Sequence, residues 1–340
     1  DGGTLPLDYS LRSPVETIFS GPAASTMCAL ALAPAGESFV ALDVGGTTTD
    51  LALVLDGRPL MSSKGARVGG LLTHVRAFAV KSVPVGGDSA VRVVDGALTV
   101  GPDRAGPPVC LGGTIPTPTD AMRVRGVTDL GDGDAARRAV EGVAAGMGVT
   151  VAEAAAQVMR RAADAIAREV DDMFVHWRNE PVYRVWEVVQ AQHTRPDLLT
   201  GVGGAASWLA PAVAERLGTR CVVPPHAPVA NALGAALARP TLTLSFRADT
   251  SEGTWATEEG DGGSLADAYL RLDGAEQMAL RLLAEKAIAA GIGEYADEAQ
   301  ITHSEVFNMV RGATTIGRLL SATAEIPAGL LSAWGGMDGR

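Results

Sequence analysis

The hydrophobic pattern changes period several times along the chain, and each change marks an element. Gly21 to Ala33 is a run of small apolar residues entered through Ser20-Gly21-Pro22, which predicts a helix, since proline is tolerated in a first helical turn. Ser38 to Asp43 and Thr48 to Leu55 are apolar, β-rich runs on either side of Val44-Gly45-Gly46, a spacing that predicts a hairpin. From Leu60 to Pro118 the pattern breaks into short strand-like pieces between glycines and prolines, one of them a hairpin on Asp95-Gly96. Helical spacing then takes over. Ala135 to Ala145 and Val151 to Trp177 are predicted helices, the second with Ala154, Val158, Ala162, Ile166, Val170 and Phe174 near one face and charges on the other. Val182 to Val189 is a predicted strand. After Gly203-Gly204 come a helix from Ala205 to Leu217, a strand at Cys221 to Val223 and a helix from Pro228 to Ala238, an alternation that predicts an α/β half. Ala248 to Gly263 carries five acidic residues and no base and reads as a surface loop or linker. A long helix over Leu265 to Ala290 and a pair of strands around Arg311-Gly312, within Ile301 to Ile326, close the chain.

Composition changes the picture mainly by exclusion. A chain of 340 residues, 47% hydrophobic and 20% charged, is globular and long enough for one large domain or two of ordinary size. Its net charge of −11 and the absence of a basic cluster argue against a nucleic-acid partner. The only lysines are Lys64, Lys81 and Lys286, and none follows a G-x-x-x-x-G-K-[ST] loop, which excludes a Walker-type ATPase. Cys28, Cys110 and Cys221 are widely spaced, which fits small buried residues in a reducing, cytoplasmic compartment better than a disulfide framework or a zinc site. His74, His176, His193, His226 and His303 show no metal-ligand spacing. The uncharged run from Thr17 to Gly36 contains Pro22, Pro34 and several hydroxyls, so no membrane span is expected. The chain opens at Asp1 rather than at methionine, and is expected to be a processed chain or a fragment.

The strongest local signal is Asp43-Val44-Gly45-Gly46-Thr47-Thr48-Thr49-Asp50 between two apolar strands. Glycines in such a turn leave backbone N–H groups open to a phosphate, with threonine hydroxyls as further donors, while Asp43 at the strand end is placed to hold a Mg²⁺ ion. A plain Gly-Gly hairpin with solvated threonines fits the octapeptide too. Gly203-Gly204-Ala205-Ala206 opens a helix; Gly201, Gly203 and Ala206 also fit a dinucleotide fingerprint, but the next strand ends in Pro224-Pro225-His226 without the expected acid. Gly87-Asp88-Ser89 has no G-x-S-x-G context or Asp-x-x-His partner, so a serine hydrolase is excluded. Asp120, in Thr117-Pro118-Thr119-Asp120, is either an inner functional carboxylate or the cap of a following turn.

The octapeptide resembles the second phosphate loop of the superfamily that includes actin, heat-shock chaperone ATPases and sugar kinases. Ser20 to Ala24, Asp43 to Asp50, Val100 to Gly106, Gly112 to Asp120 and Pro224 to Pro228 resemble, in the same order, segments of the hydantoinase A/5-oxoprolinase family, over roughly Leu5 to Ala238. Two positions depart from that family: Asp88, where a glycine is expected, and Leu209, where a histidine is expected.

The resemblance implies an α/β, ribonuclease-H-like fold. Residues 1–247 would form the second, C-terminal ATPase-type half, with a β insertion at about 60–118, followed by a linker at 248–263 and a helix-and-strand extension over 264–340. It implies ATP and Mg²⁺ as cofactors, with Asp43, Asp50 and Asp120 as catalytic carboxylates and Asp43 on the metal. Gly45, Gly46, Thr47 and Thr48 would take the phosphates, and Gly203, Gly204 and Ala205 the adenosine side. The implied reaction phosphorylates the oxygen of a cyclic amide or a small carbonyl substrate. Because the family's cleft uses two such loops and this chain has one, the resemblance also implies a missing N-terminal half or a partner subunit. A nucleotide-binding or catalytically silent scaffold is the alternative.

Overall fold

The protein is described here by a computed structural model covering residues 2–331, apart from 6, 13, 35, 63, 64, 70, 74, 179–194, 259 and 268. The chain divides into two units, one built on Glu16–Leu237 and the other on Gly3–Val15 with Ala238–Leu331.

The hairpin on Gly45-Gly46 lies at the centre of the first unit. Phe39–Val44 pairs antiparallel with Thr49–Leu55, from Phe39 opposite Val54 to Val44 opposite Thr49. On its other side it runs parallel to Leu198–Val202, which runs parallel to Arg220–Val222. Arg58–Pro59 and Val80–Val83 pair antiparallel with the far side of Thr49–Leu55, so the sheet is mixed. Successive side chains point to opposite faces. Val40, Leu42, Val44, Leu51 and Leu53 pack towards the helices Val151–Arg178 and Ala206–Leu217, in one core with Ile166, Val170 and Leu209. Phe39, Ala41, Ala52 and Val54 turn the other way, where Ser20–Leu32 and Ala230–Leu237 contribute Cys28, Ala29 and Ala230. Helices therefore cover both faces of the sheet. Each fully buried leucine, such as Leu42 or Leu51, stabilises this arrangement by about 2 kcal/mol.

The stretch expected as a β insertion is more closely tied to the rest of the unit than its pattern suggests. Val80–Val83 belongs to the main sheet. The Val91–Val94 and Ala97–Val100 hairpin does turn on Asp95-Gly96, both at positive φ, and packs Val91 and Leu98 against the helices Gly133–Met147 and Val151–Arg178. The structure adds a helix over Pro118–Val124, too short to show a period in the sequence. Gly133–Met147 is longer than its apolar pattern, because the Asp132 side chain caps the N–H groups of Asp134 and Ala135. The strand expected at Val182 to Val189 lies outside the described residues.

In the second unit, five antiparallel strands lie in the order Gly262–Ser264, Thr254–Thr257, Leu242–Asp249, Thr314–Ile326 and Gln300–Arg311. Leu242, Leu244, Phe246 and Ala248 alternate inwards beside Leu320, Ala322, Ala324 and Ile326, against Ala275, Ala279 and Leu283 of the helix Leu272–Ala289. The closing strand pair thus forms around Arg311-Gly312. The linker reading of 248–263 is corrected: this acidic segment supplies two strands and the turns between them. Asp249 itself closes a turn by accepting from the N–H groups of Ser251 and Glu252, and Trp255 stacks on Phe246 with ring centroids 5.9 Å apart. The division accordingly falls at Leu237/Ala238, not at 248–263. The helix starts at Leu272 rather than Leu265, whose N–H donates to the Gly253 carbonyl and keeps that stretch beside the strands. Thr4 exchanges backbone hydrogen bonds with the 239–241 segment. Among the described residues no single helix is long and apolar enough to cross a membrane.

Candidate functional site

Alternation along the central hairpin fixes where the acids point. Asp43 follows Phe39 and Ala41 on the face covered by Ser20–Leu32, and Asp50 precedes Ala52 and Val54 on that same face. The two are direct cross-strand partners. Two carboxylates thus sit side by side at the end of the strand from which the glycine turn leaves, with Asp43 also in register with Val202 of the parallel neighbour. Like charges directly opposite each other on a sheet are destabilising, so the pairing asks for a compensating group. Ser25 donates to Asp43 Oδ2, and its Oγ lies 2.7 Å from Asn231 Oδ1. A cavity of about 10 Å³, the size of one water, opens beside both acids and is lined by Ser25, Thr26, Asp43, Asp50 and Val80. Burial raises the Asp43 carboxyl above the usual carboxylate range; the hydrogen bond from Ser25 opposes this, the nearby Asp50 charge adds to it, and Asn231 opposes it again.

Three loops meet around this point. In the first, Gly45 N–H donates to Thr48 O at 2.9 Å, which closes the turn and removes Gly45 from the expected set of open donors. The N–H groups of Gly46 and Thr47 have no internal acceptor among the described residues, and Thr47 is exposed. The second loop, Gly86-Gly87-Asp88, docks its backbone on the first: Gly87 N–H donates to Gly45 O at 2.9 Å and Asp88 N–H to Gly46 O at 2.6 Å. The third is the turn at Gly203, whose N–H donates to Ala227 O, while Ala205 N–H donates to Val44 O. Gly203 has φ +95° and a Cβ there would fall on Asp43 Oδ1, so a side chain at this position would displace the carboxylate. The structure therefore brings together Asp43, Asp50, Gly45, Gly46, Thr47, Thr48, Gly203, Gly204 and Ala205. All lie at the carboxyl end of the parallel strands, where open α/β sheets bind ligands.

Asp120 does not join them. Its side chain accepts from the N–H groups of Val109, Cys110 and Thr117 and from the Thr117 hydroxyl, forms a capping box with Thr117, and is fully buried. Of the two sequence readings of this acid, the cap is the one its geometry matches. Asp88, by contrast, is nearer than expected: its Oδ2 lies 2.5 Å from where a Cβ on Gly46 would stand, and Arg104 Nη2 donates to that same oxygen at 2.9 Å. An open groove of about 510 Å³ lined by Arg125, Arg160, Asp164, Glu215 and Arg216 contains none of these loop residues.

The donor set suits a magnesium ion that arrives with a phosphate ligand. Mg²⁺ is ordinarily held by one or two carboxylates, waters and substrate oxygens rather than by an all-protein cage. Asp43 and Asp50 offer two carboxylates beside a water-sized space, and no group of three or more His, Cys, Asp or Glu able to hold a metal occurs among the described residues.

Sequence reasoning alone misses Ser25, Asn231, Asp88 and Arg104 as site residues. For Ser25 and Arg104 a signal exists, since the first directly follows the Ser20 to Ala24 segment and the second lies within Val100 to Gly106; Asn231 meets the site only through tertiary folding.

A family model described as hydantoinase/oxoprolinase matches residues 1–243. Among solved structures, nucleotide-free acetone carboxylase, described for ATP-dependent acetone carboxylation, is similar with a TM-score of 0.62 at 18% identity, covering 93% of this chain and 50% of that one. The ATP-dependent caprolactamase from Pseudomonas jessenii is similar with a TM-score of 0.52 at 20% identity, covering 90% and 49%. At such identities the likeness is one of fold. The chain spans about half the length of these two proteins. No curated protein matches it.

Proposed function

The chain belongs to the hydantoinase/oxoprolinase family, and from that premise we propose that it is the ribonuclease-H-like, nucleotide-binding second half of an ATP-dependent enzyme acting on a cyclic amide or small carbonyl compound. The observation that carries this reading is the juxtaposition of Asp43 and Asp50 with the open N–H groups of Gly46 and Thr47 and with the Gly203 turn. In this reading Gly46 and Thr47 donate to the phosphates, Gly203 to Ala205 approach the nucleoside, and Asp43 and Asp50 hold Mg²⁺ together with water. The bound ion would neutralise the phosphate charge beside two acids that otherwise repel an anion. Ser25 and Asn231 orient the Asp43 carboxylate towards the ion. The substrate's amide or carbonyl oxygen would accept the γ-phosphoryl group as ADP leaves. Water would then attack the activated carbon and the ring nitrogen would depart with a proton, breaking the C–N bond and leaving an acyl phosphate; a second water would hydrolyse that to carboxylate and phosphate, so that a resonance-stabilised amide opens at the expense of ATP.

The other half of the cleft, from an N-terminal segment or a partner subunit, would complete the site, in keeping with the double length of the similar proteins. A silent scaffold is the second reading, favoured by the Asp88 carboxylate over Gly46. Equilibrium dialysis of ATP against the chain, in Mg²⁺ or in EDTA, tests the proposal. Saturable binding that is lost in EDTA and in Asp43→Asn is expected, whereas equal retention of ATP under all three conditions would assign the nucleotide to another place.

A further inference from the structure

The Asp88 carboxylate stands over the same backbone that is open for a phosphate, and its position is not incidental to the fold. Asp88 N–H is fixed to Gly46 O and Gly87 N–H to Gly45 O, so the Asp88 backbone cannot leave the glycine turn. The side chain is 17% exposed and its Oδ2 covers Gly46. Arg104 is held equally firmly at its base. Its neighbour Asp103 accepts from Ala90 N–H and takes both guanidinium nitrogens of Arg92, at 2.7 and 2.6 Å, while the Arg104 side chain itself is 45% exposed. What can rearrange without moving the backbone is this pair of side chains, whose arginine end is 45% exposed.

We propose that Asp88 occupies the place of a phosphate oxygen over Gly46 in the nucleotide-free chain, and that Arg104 is the phosphate-contacting cation that Asp88 surrenders when a nucleotide enters. The inference rests on the nucleotide reading of the Gly45-Gly46 turn and adds a gate to it. An arginine touching the very oxygen that stands over the loop needs only a rotation of the Asp88 side chain to face an incoming phosphate oxygen instead. Arginine is suited to both partners, because its planar fork of donors matches carboxylate and phosphate alike. The glycine turn itself, Asp43 to Asp50, contains no lysine to meet a phosphate. No covalent step is involved. One anion replaces another on the same cation.

The test is the affinity of the chain for Mg-ADP, measured by calorimetry in the wild type, Asp88→Asn, Arg104→Gln and the double variant, with each sample's fold checked by circular dichroism. Asp88→Asn removes the competing charge and keeps the side chain's shape, and is expected to tighten binding tenfold or more. Arg104→Gln removes the cation and leaves Asp88 uncompensated, and is expected to weaken binding tenfold or more. The double variant should fall between the two. Folded variants that all bind with the wild-type constant would overturn the gate and leave nucleotide binding in place. Weaker binding in both single variants would assign the pair a purely structural part and also overturn it. No binding by any of the four, Asp88→Asn included, would remove the nucleotide reading itself and the gate with it.

Discussion

Asp43 is placed where burial opposes the charge that the proposed reading requires of it. Burial raises its carboxyl above the ordinary carboxylate range, so between the unfolded value, about 3.9, and the raised folded value the native chain binds more protons than the unfolded one. Stability must then fall as pH rises through that window. Asp43→Asn keeps the acceptor for Ser25 but has no charge to bury. The variant is predicted to be more stable than the wild type at neutral pH and to lack the wild type's loss of stability on going up from about pH 4, as read by urea denaturation across pH. It should also lose Mg-nucleotide binding, by a hundredfold or more. A variant with an unchanged pH slope would mean that Asp43 is solvated as freely in the native chain as in the unfolded one. The thiols make a second, simpler case. Burial pushes Cys28 and Cys221 up to about 11, the Asp43 charge adding to it at Cys28; burial with the Asp120 charge pushes Cys110 up to about 12. All three should react slowly with a thiol reagent at about pH 8 in the native protein and stoichiometrically in denaturant; rapid native labelling of Cys28 or Cys110 would contradict their burial.

Capping decides what Asp120 does, and its consequence appears in the elements it joins. Four donors converge on its carboxylate from the 109–110 turn and the start of Pro118–Val124. Asp120→Ala would leave buried N–H groups without a partner, and is predicted to cost about 3 kcal/mol in chemical denaturation. Nucleotide affinity per folded molecule should stay within twofold; a stable variant with abolished binding would instead return Asp120 to the site. Thr117 and Asp120 at capping-box spacing are readable in the sequence, and that reading stands beside the functional one because nothing local shows which donors reach a carboxylate. The hairpin Phe39–Val44/Thr49–Leu55 is legible because its apolar residues and glycine turn agree on one structure. The 248–263 strands are not. Glu252, Glu258 and Asp261 lie at exposed positions, so the segment is polar by composition although Trp255 stacks on Phe246 and Leu242–Asp249 alternates into a core. Likewise the partner of Val80–Val83 is set by register with Thr49–Leu55, about thirty residues away, which no local period encodes. For the site, the glycine loops are legible as motifs, but their mutual docking through Gly45, Gly46, Gly87 and Asp88 is a tertiary event.

The chain spans about half the length of each similar protein, and on the proposed reading it offers a nucleotide the Gly45-Gly46 turn and the Gly203 turn. Contacts from a second half would be missing, so the chain by itself is predicted to bind Mg-ATP weakly, with a dissociation constant on the order of 0.1 to 1 mM, because fewer contacts offset the same loss of freedom on binding. Adding a polypeptide that supplies the other half should tighten it, as a titration of nucleotide with and without that polypeptide would record. The location of the nucleotide is the claim on which the rest depends, and hydrogen exchange of the folded chain with and without saturating Mg-ADP tests it most directly. Protection concentrated at the backbone amides of Gly46 to Thr48, Gly86 to Ser89 and Gly203 to Ala206 is the expected result. No protection at any of these amides, or protection confined to the groove of Arg125, Arg160 and Arg216, would contradict it.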